Sequence, residues 1–196
     1  TIKKDGSAWS SSGMNVALYE GTTQKFAYST ATVSGSTVVF NNTVSGTTYK
    51  IYAGKHDGAK TTLIDTGLTV AGGIDKTQTI NYYTITRSQG TGTTLTTKWD
   101  SSSGTEFTNN PVVLGNNKVT IYAKATANTG YNGITLKHGS TSMTASGSTF
   151  TVSAKETIAS SGTNANTYQK KLLTIPNILS FFRLCLIPVI IWLYTE

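Results

Sequence analysis

Cysteine occurs once in the 196 residues, at Cys185, inside an apolar run near the C-terminus. The first 184 residues therefore hold no disulfide framework, no cysteine-ligated zinc and no thiol nucleophile. Proline is scarce too: Pro111, Pro176 and Pro188 are all there is, and two of them fall beyond residue 175. Charged residues make up 13% of the chain, few for a cytosolic globular protein. Arginine is confined to Arg87 and Arg183, so lysine carries nearly all of the net charge of +7. The lysines are scattered and not interleaved with aromatics on one face, which argues against a nucleic-acid partner. They suit solvated strand faces whose edges are blocked against pairing; an anionic surface polymer is the other counterion they would suit. The chain opens Thr1-Ile2-Lys3-Lys4-Asp5, without an initiator Met or the apolar core of a signal peptide, and reads as a piece of something longer.

Thr, Ser, Gly and Asn dominate instead, residues that favour turns and strand surfaces and resist helix. Apolar and polar residues alternate with period two from Asn15 onward: Val16 and Leu18, Phe26 and Tyr28, Val38 and Phe40, then Tyr49, Ile51 and Ala53. Turn signals separate these runs at Asp5-Gly6, Glu20-Gly21, Ser34-Gly35, Ser45-Gly46, Asp57-Gly58 and Gly72-Gly73. A second set begins at Tyr83 and Ile85 and continues with Leu95, Thr97 and Trp99 on one face. Val112–Leu114 follows, then a turn at Gly115-Asn116-Asn117, then Val119, Ile121 and Ala123. Ile134, Leu136, Phe150 and Val152 complete it. Ser160–Thr167 is composed of Ser, Gly, Asn, Thr and Ala and reads as a flexible linker.

The run Lys4-Asp5-Gly6-Ser7-Ala8-Trp9 through Met14-Asn15-Val16-Ala17-Leu18-Tyr19, with Val38–Tyr52 after it, resembles the prealbumin-like repeats of Gram-positive surface proteins. Lys118–Tyr131 and Ser148–Ser153 resemble the divergent immunoglobulin-like repeats of internalin-type proteins. Both resemblances imply stalk or adhesin-display roles.

The tail differs in kind. Leu172–Tyr194 is apolar and interrupted by Arg183. A buried charge at membrane depth costs several kcal/mol unless it snorkels. The apolar stretch after it, Leu184–Tyr194, is shorter than the roughly 20 residues that span a bilayer. Ile178, Phe181, Phe182, Arg183, Leu186, Pro188, Trp192 and Tyr194 are the residues expected to form the membrane segment. Ile175-Pro176-Asn177-Ile178-Leu179-Ser180, Arg183-Leu184 and Ile187-Pro188-Val189 resemble the start of the CDP-alcohol phosphatidyltransferases, which make phosphatidylglycerophosphate or cardiolipin. That family's acidic motif D-G-x-x-A-R lies downstream of this helix. No Asp follows Asp100, so none of the family's metal or catalytic residues carries over. Lys170 and Lys171 flank the run on its N-terminal side, which by the positive-inside rule favours a cytoplasmic N-terminal side. Surface modules belong outside.

Chemistry-bearing groups are dispersed. His56 and His138 have no His or Cys partner nearby in sequence and read as surface turn residues. No pair among Asp5, Glu20, Asp57, Asp65, Asp75, Asp100, Glu106 and Glu156 has calcium-loop spacing. Gly90-Thr91-Gly92 lacks the third glycine of a dinucleotide loop and reads as a hairpin turn. Lys3 or Lys4 could supply the amine of a Lys–Asn isopeptide bond, and Tyr52 and Tyr122 could stack on sugar.

The expectation is an all-β chain with no catalytic residues, metal or cofactor. It comprises two antiparallel β-sandwich modules in tandem, residues 1–82 and 83–158, a linker over 159–169 and a hydrophobic C-terminal helix over 170–196. Its expected partners are the lipid bilayer, through the tail, and a cell-wall or host-surface glycan or protein. Two rival readings stand beside it: a truncated phosphatidyltransferase with an unusual N-terminal extension, and two unrelated parts joined artificially.

Overall fold

A computed structural model describes residues 1–10 and 13–165. The expected helix over 170–196 lies outside the described residues. The described chain is all-β, with one short 3₁₀ turn at Tyr28–Thr30 where alternation had suggested strand. In chain order the strands are β1 (Ile2–Lys4), β2 (Ser7–Ala8), β3 (Val16–Glu20), β4 (Thr23–Phe26), β5 (Thr32–Ser34), β6 (Thr37–Val39), β7 (Thr48–Gly54) and β8 (Leu63–Ala71). There follow β9 (Ile80–Gln89), β10 (Thr93–Trp99), β11 (Val112–Leu114), β12 (Thr120–Ala127), β13 (Tyr131–His138), β14 (Thr141–Met143), β15 (Ser148–Thr151) and β16 (Glu156–Asn164).

They form four sheets. One has the order β4-β3-β7-β8, one β10-β12-β15, and β5 pairs only with β6. The largest runs β14-β13-β16-β9-β1-β2, with β11 also paired to β9. Most ladders are antiparallel, as the short turns predict. Two are not. β1 runs parallel to the start of β9, Ile2 opposite Ile80, and β16 runs parallel to its end, Glu156 opposite Ile85. Period-two alternation is the same for either direction, and these partners are far apart in sequence, so no turn revealed their orientation. The division expected after residue 82 falls inside β9.

Alternation does predict the buried faces. Tyr49, Ile51 and Ala53 of β7 are buried, as are Leu95 and Thr97 of β10 and Ile121, Ala123 and Ala125 of β12. The buried apolar residues on both sides of residue 82 belong to one cluster that includes Val16, Leu18, Tyr82, Ile85, Ile121 and Ile158. The turns follow their chemistry as well. Asp5, Asn42, Asp75, Asp100, Asn116 and Asn117 all take positive φ, a conformation that short polar side chains tolerate best after glycine.

Two local expectations need correction. Ser160–Asn164 is the end of β16 and not a linker; Ser160 is buried, and its hydroxyl lies 2.8 Å from that of Thr93. Small polar residues with hydrogen-bonding hydroxyls pair into a sheet as readily as they fill a linker. The turn Gly90-Thr91-Gly92 is not a hairpin either. It carries the chain from β9 in the large sheet to β10 in the three-stranded one. Gly92 has φ +76°, and a Cβ there would overlap the ring of Tyr131, so glycine is required for both backbone and space.

Candidate functional site

A cavity of about 580 Å³ lies between the four-stranded sheet and the β5–β6 hairpin. Its floor is aliphatic: Ile2, Val16, Leu18, Ile51, Val70 and Ile80. Val38 and Phe40 wall it on the hairpin side. Asn41, Asn42, Thr43, Thr77 and Gln78 contribute polar groups, beside the adjacent charges Asp75 and Lys76. The wall segments are tied down. The Ile2 N–H donates to the Ser36 carbonyl at 2.7 Å, which fixes the hairpin turn to β1. The Gly73 N–H donates to Thr43 Oγ1 at 3.1 Å, which fixes one loop to the other. These contributors are separated by up to 78 positions in sequence (Ile2 to Ile80), so no local motif could have announced the cavity.

The groups singled out in the sequence have other places. His56 is half-buried, its ring stacked on Trp99 at 3.9 Å and 7°, and Trp99 stacks in turn on Phe107 at 4.3 Å. Its Nδ1 accepts the Gly58 N–H at 3.1 Å. Burial lowers its pKa, Lys55 adds to that, and Asp57 and Asp100 oppose it without reversing it. His138 sits on β13, stacked on Phe150 at 4.4 Å, with Nδ1 2.6 Å from Glu156 Oε2. Neither histidine is the surface turn residue expected, because each is flattened against an aromatic ring. Among the described residues no three of His, Cys, Asp and Glu are grouped as metal ligands.

Asp5 accepts from the Thr84 N–H at 2.9 Å and from Thr84 Oγ1 at 2.7 Å, with Lys155 3.8 Å away. Burial pushes its carboxyl up, but the two Thr84 bonds, with Lys155 and Lys4, bring its pKa below the ordinary carboxylate value. Lys4 Nζ lies 5.8 Å from the Trp9 ring centroid, a cation–π distance, and Lys3 is exposed. Lys55 Nζ bonds both oxygens of Asp100, at 2.7 and 2.5 Å. Arg87 donates to the Thr108 and Leu95 carbonyls.

Of the two tyrosines proposed for sugar, Tyr52 stacks on Tyr19 with ring centroids 4.1 Å apart, and Tyr19 Oη donates to Gln24 Oε1. Tyr122 closes over Gly147, where even a Cβ would overlap its hydroxyl. The expected membrane residues, from Ile178 to Tyr194, lie outside the described residues. Among those described, no helix is long and apolar enough to cross a membrane. Compared with family models, curated proteins and solved structures, the chain matches none.

Proposed function

We propose that this chain is a non-catalytic β-body for display at a bacterial cell surface, held to the bilayer by its apolar C-terminal segment. The supporting observation is what the ionisable groups do. Asp5 holds Thr84, Lys55 holds Asp100, Glu156 holds His138, and Arg87 holds two backbone carbonyls. Two of these pairs, Asp5–Thr84 and Lys55–Asp100, join residues 1–82 to later ones. Groups committed in this way are cross-braces, and bracing is what a stalk or spacer needs. A cell-wall or host-surface glycan or protein is the partner such a body would meet.

Protease treatment of intact cells producing the whole chain tests the reading. Display predicts loss of the β-body from outside while a peptide containing Leu172–Tyr194 stays with the membrane fraction. Full protection in intact cells, with digestion only after lysis, would place the body in the cytoplasm and overturn it. A second reading rests on the Ile175–Ser180 and Ile187–Val189 resemblance, which ties the tail to phospholipid synthesis. Incorporation of glycerol 3-phosphate into lipid by the purified chain would favour it over display.

A further inference from the structure

We propose that the cavity under the β5–β6 hairpin binds a single molecule with an aliphatic tail and an uncharged, hydroxyl-bearing head. Its volume, about 580 Å³, lies in the range that encloses a small organic ligand. The chemistry of the lining selects the class. The floor is branched aliphatic, from Ile2, Val16, Leu18, Ile51, Val70 and Ile80, and water gains nothing there. Phe40 is the one aromatic ring in the lining, so a sugar has no paired platform. Lys76 is the one lysine, with Asp75 beside it, and the Thr1 ammonium, also in the lining, is engaged by the Gln78 carbonyl at 2.7 Å, so a phosphate or carboxylate finds no uncommitted cluster of positive charge. What remains at the polar side is neutral: the amides of Asn41, Asn42 and Gln78 and the hydroxyls of Thr43 and Thr77, donors and acceptors suited to hydroxyl groups.

The exposed apolar residues supply a second, independent observation. Val33, Val39, Val44 and Ile74 are the large hydrophobics left exposed among the described residues. Val39 and Ile74 line the cavity, Ile74 at 87% exposure, and Val44 follows lining residue Thr43. Exposed apolar surface gathered around one opening marks a binding site more often than a solvated face. Monoacylglycerols are the simplest molecules with this pairing of tail and head.

The test uses the full chain in lipid nanodiscs and a monolauroylglycerol carrying a photoactivatable group on its acyl chain, with labelled peptides identified by mass spectrometry. Labelling is expected in residues 16–18 and 37–43, and unlabelled monolauroylglycerol should compete it away. Val38→Trp, which fills the cavity from the hairpin wall, should weaken that labelling by about tenfold, the factor set by 1.4 kcal/mol. Ser142→Trp, at an exposed position on β14 outside the lining, should not. Labelling confined to residues 172–194 in the unmodified chain would overturn the site whatever the variants do. Equal or stronger labelling by the matching photoactivatable lauric acid would overturn the uncharged head.

Discussion

The phenol of Tyr82 donates to the carbonyl of Gly54 at 2.8 Å, joining β9 to the end of β7 through a hydrogen bond that is wholly buried. Burial pushes this phenol far above its ordinary pKa, so it stays a neutral donor at any pH the fold survives. Tyr82→Phe should lose about 1 kcal/mol of stability, the net worth of a typical buried hydrogen bond. Tyr82→Ala, which also empties the space against Trp9, should lose about 3–5 kcal/mol. Denaturant midpoints of the two variants check this; equal losses would mean that the hydroxyl contributes more than the ring.

Gly54 itself admits no side chain. A Cβ there would stand 2.5 Å from the Lys60 carbonyl oxygen and 2.5 Å from Met14 Sδ. Backbone cannot step aside as a flexible side chain can, so Gly54→Ala should cost about 1–3 kcal/mol through overpacking. Gly58→Ala meets only the His56 ring at 3.3 Å and should cost less. Thermal melting of both variants decides; a milder effect at position 54 than at 58 would contradict the geometry.

Acid should weaken the fold in two stages. The folded-state pKa of His56 is depressed, so its contribution is intact above the unfolded value of about 6.5 and is lost as pH falls through the folded value. Asp5, also depressed, follows at lower pH, below the ordinary carboxylate value. His56→Phe keeps a ring against Trp99 and removes the titration. Its melting temperature should therefore fall less between pH 7.5 and pH 5 than that of the unmodified chain. An unchanged drop would show that His56 is not the group responsible.

The tail can be separated from the body only beyond β16. A chain cut after Ser161 loses Thr163 and Asn164, which pair with Asn132 and Tyr131, and should melt lower than one cut after Ala165. We expect the whole chain to sediment with membranes and the chain ending at Ala165 to stay in the supernatant. Identical fractionation of the two would show that residues 166–196 are not the anchor.

The sequence carried the strand faces clearly, because burial on one side imposes alternation whatever the partner. β7, β10 and β12 were legible for that reason. β16 was not: its run Ser160-Ser161-Gly162-Thr163-Asn164 has the composition of a linker, and what makes it a strand is its pairing with β13, with the hydroxyls of Ser160 and Ser161 lying against those of Thr93 and Thr135. His56 and His138 were misjudged because a stacking partner such as Trp99 or Phe150 is brought in by the fold and leaves no mark beside the histidine. The cavity escaped notice for the same reason, its walls being assembled from strands that alternate like any others.

The two parallel ladders on β9 also dictate an order of assembly. Ile2 waits for Ile80, and Ile85 waits for Glu156, so each ladder closes a loop of more than sixty residues. Contacts this remote lower folding rates, because chain entropy is lost before the pairing rewards it. The hairpins β3–β4 and β13–β14 can form as soon as they are synthesised. β1 cannot find its partner until β9 exists, and β9 keeps an unsatisfied edge until the last strand arrives. During synthesis, that edge is the surface on which a neighbouring copy would mispair, and a chaperone would have its longest interval to act there.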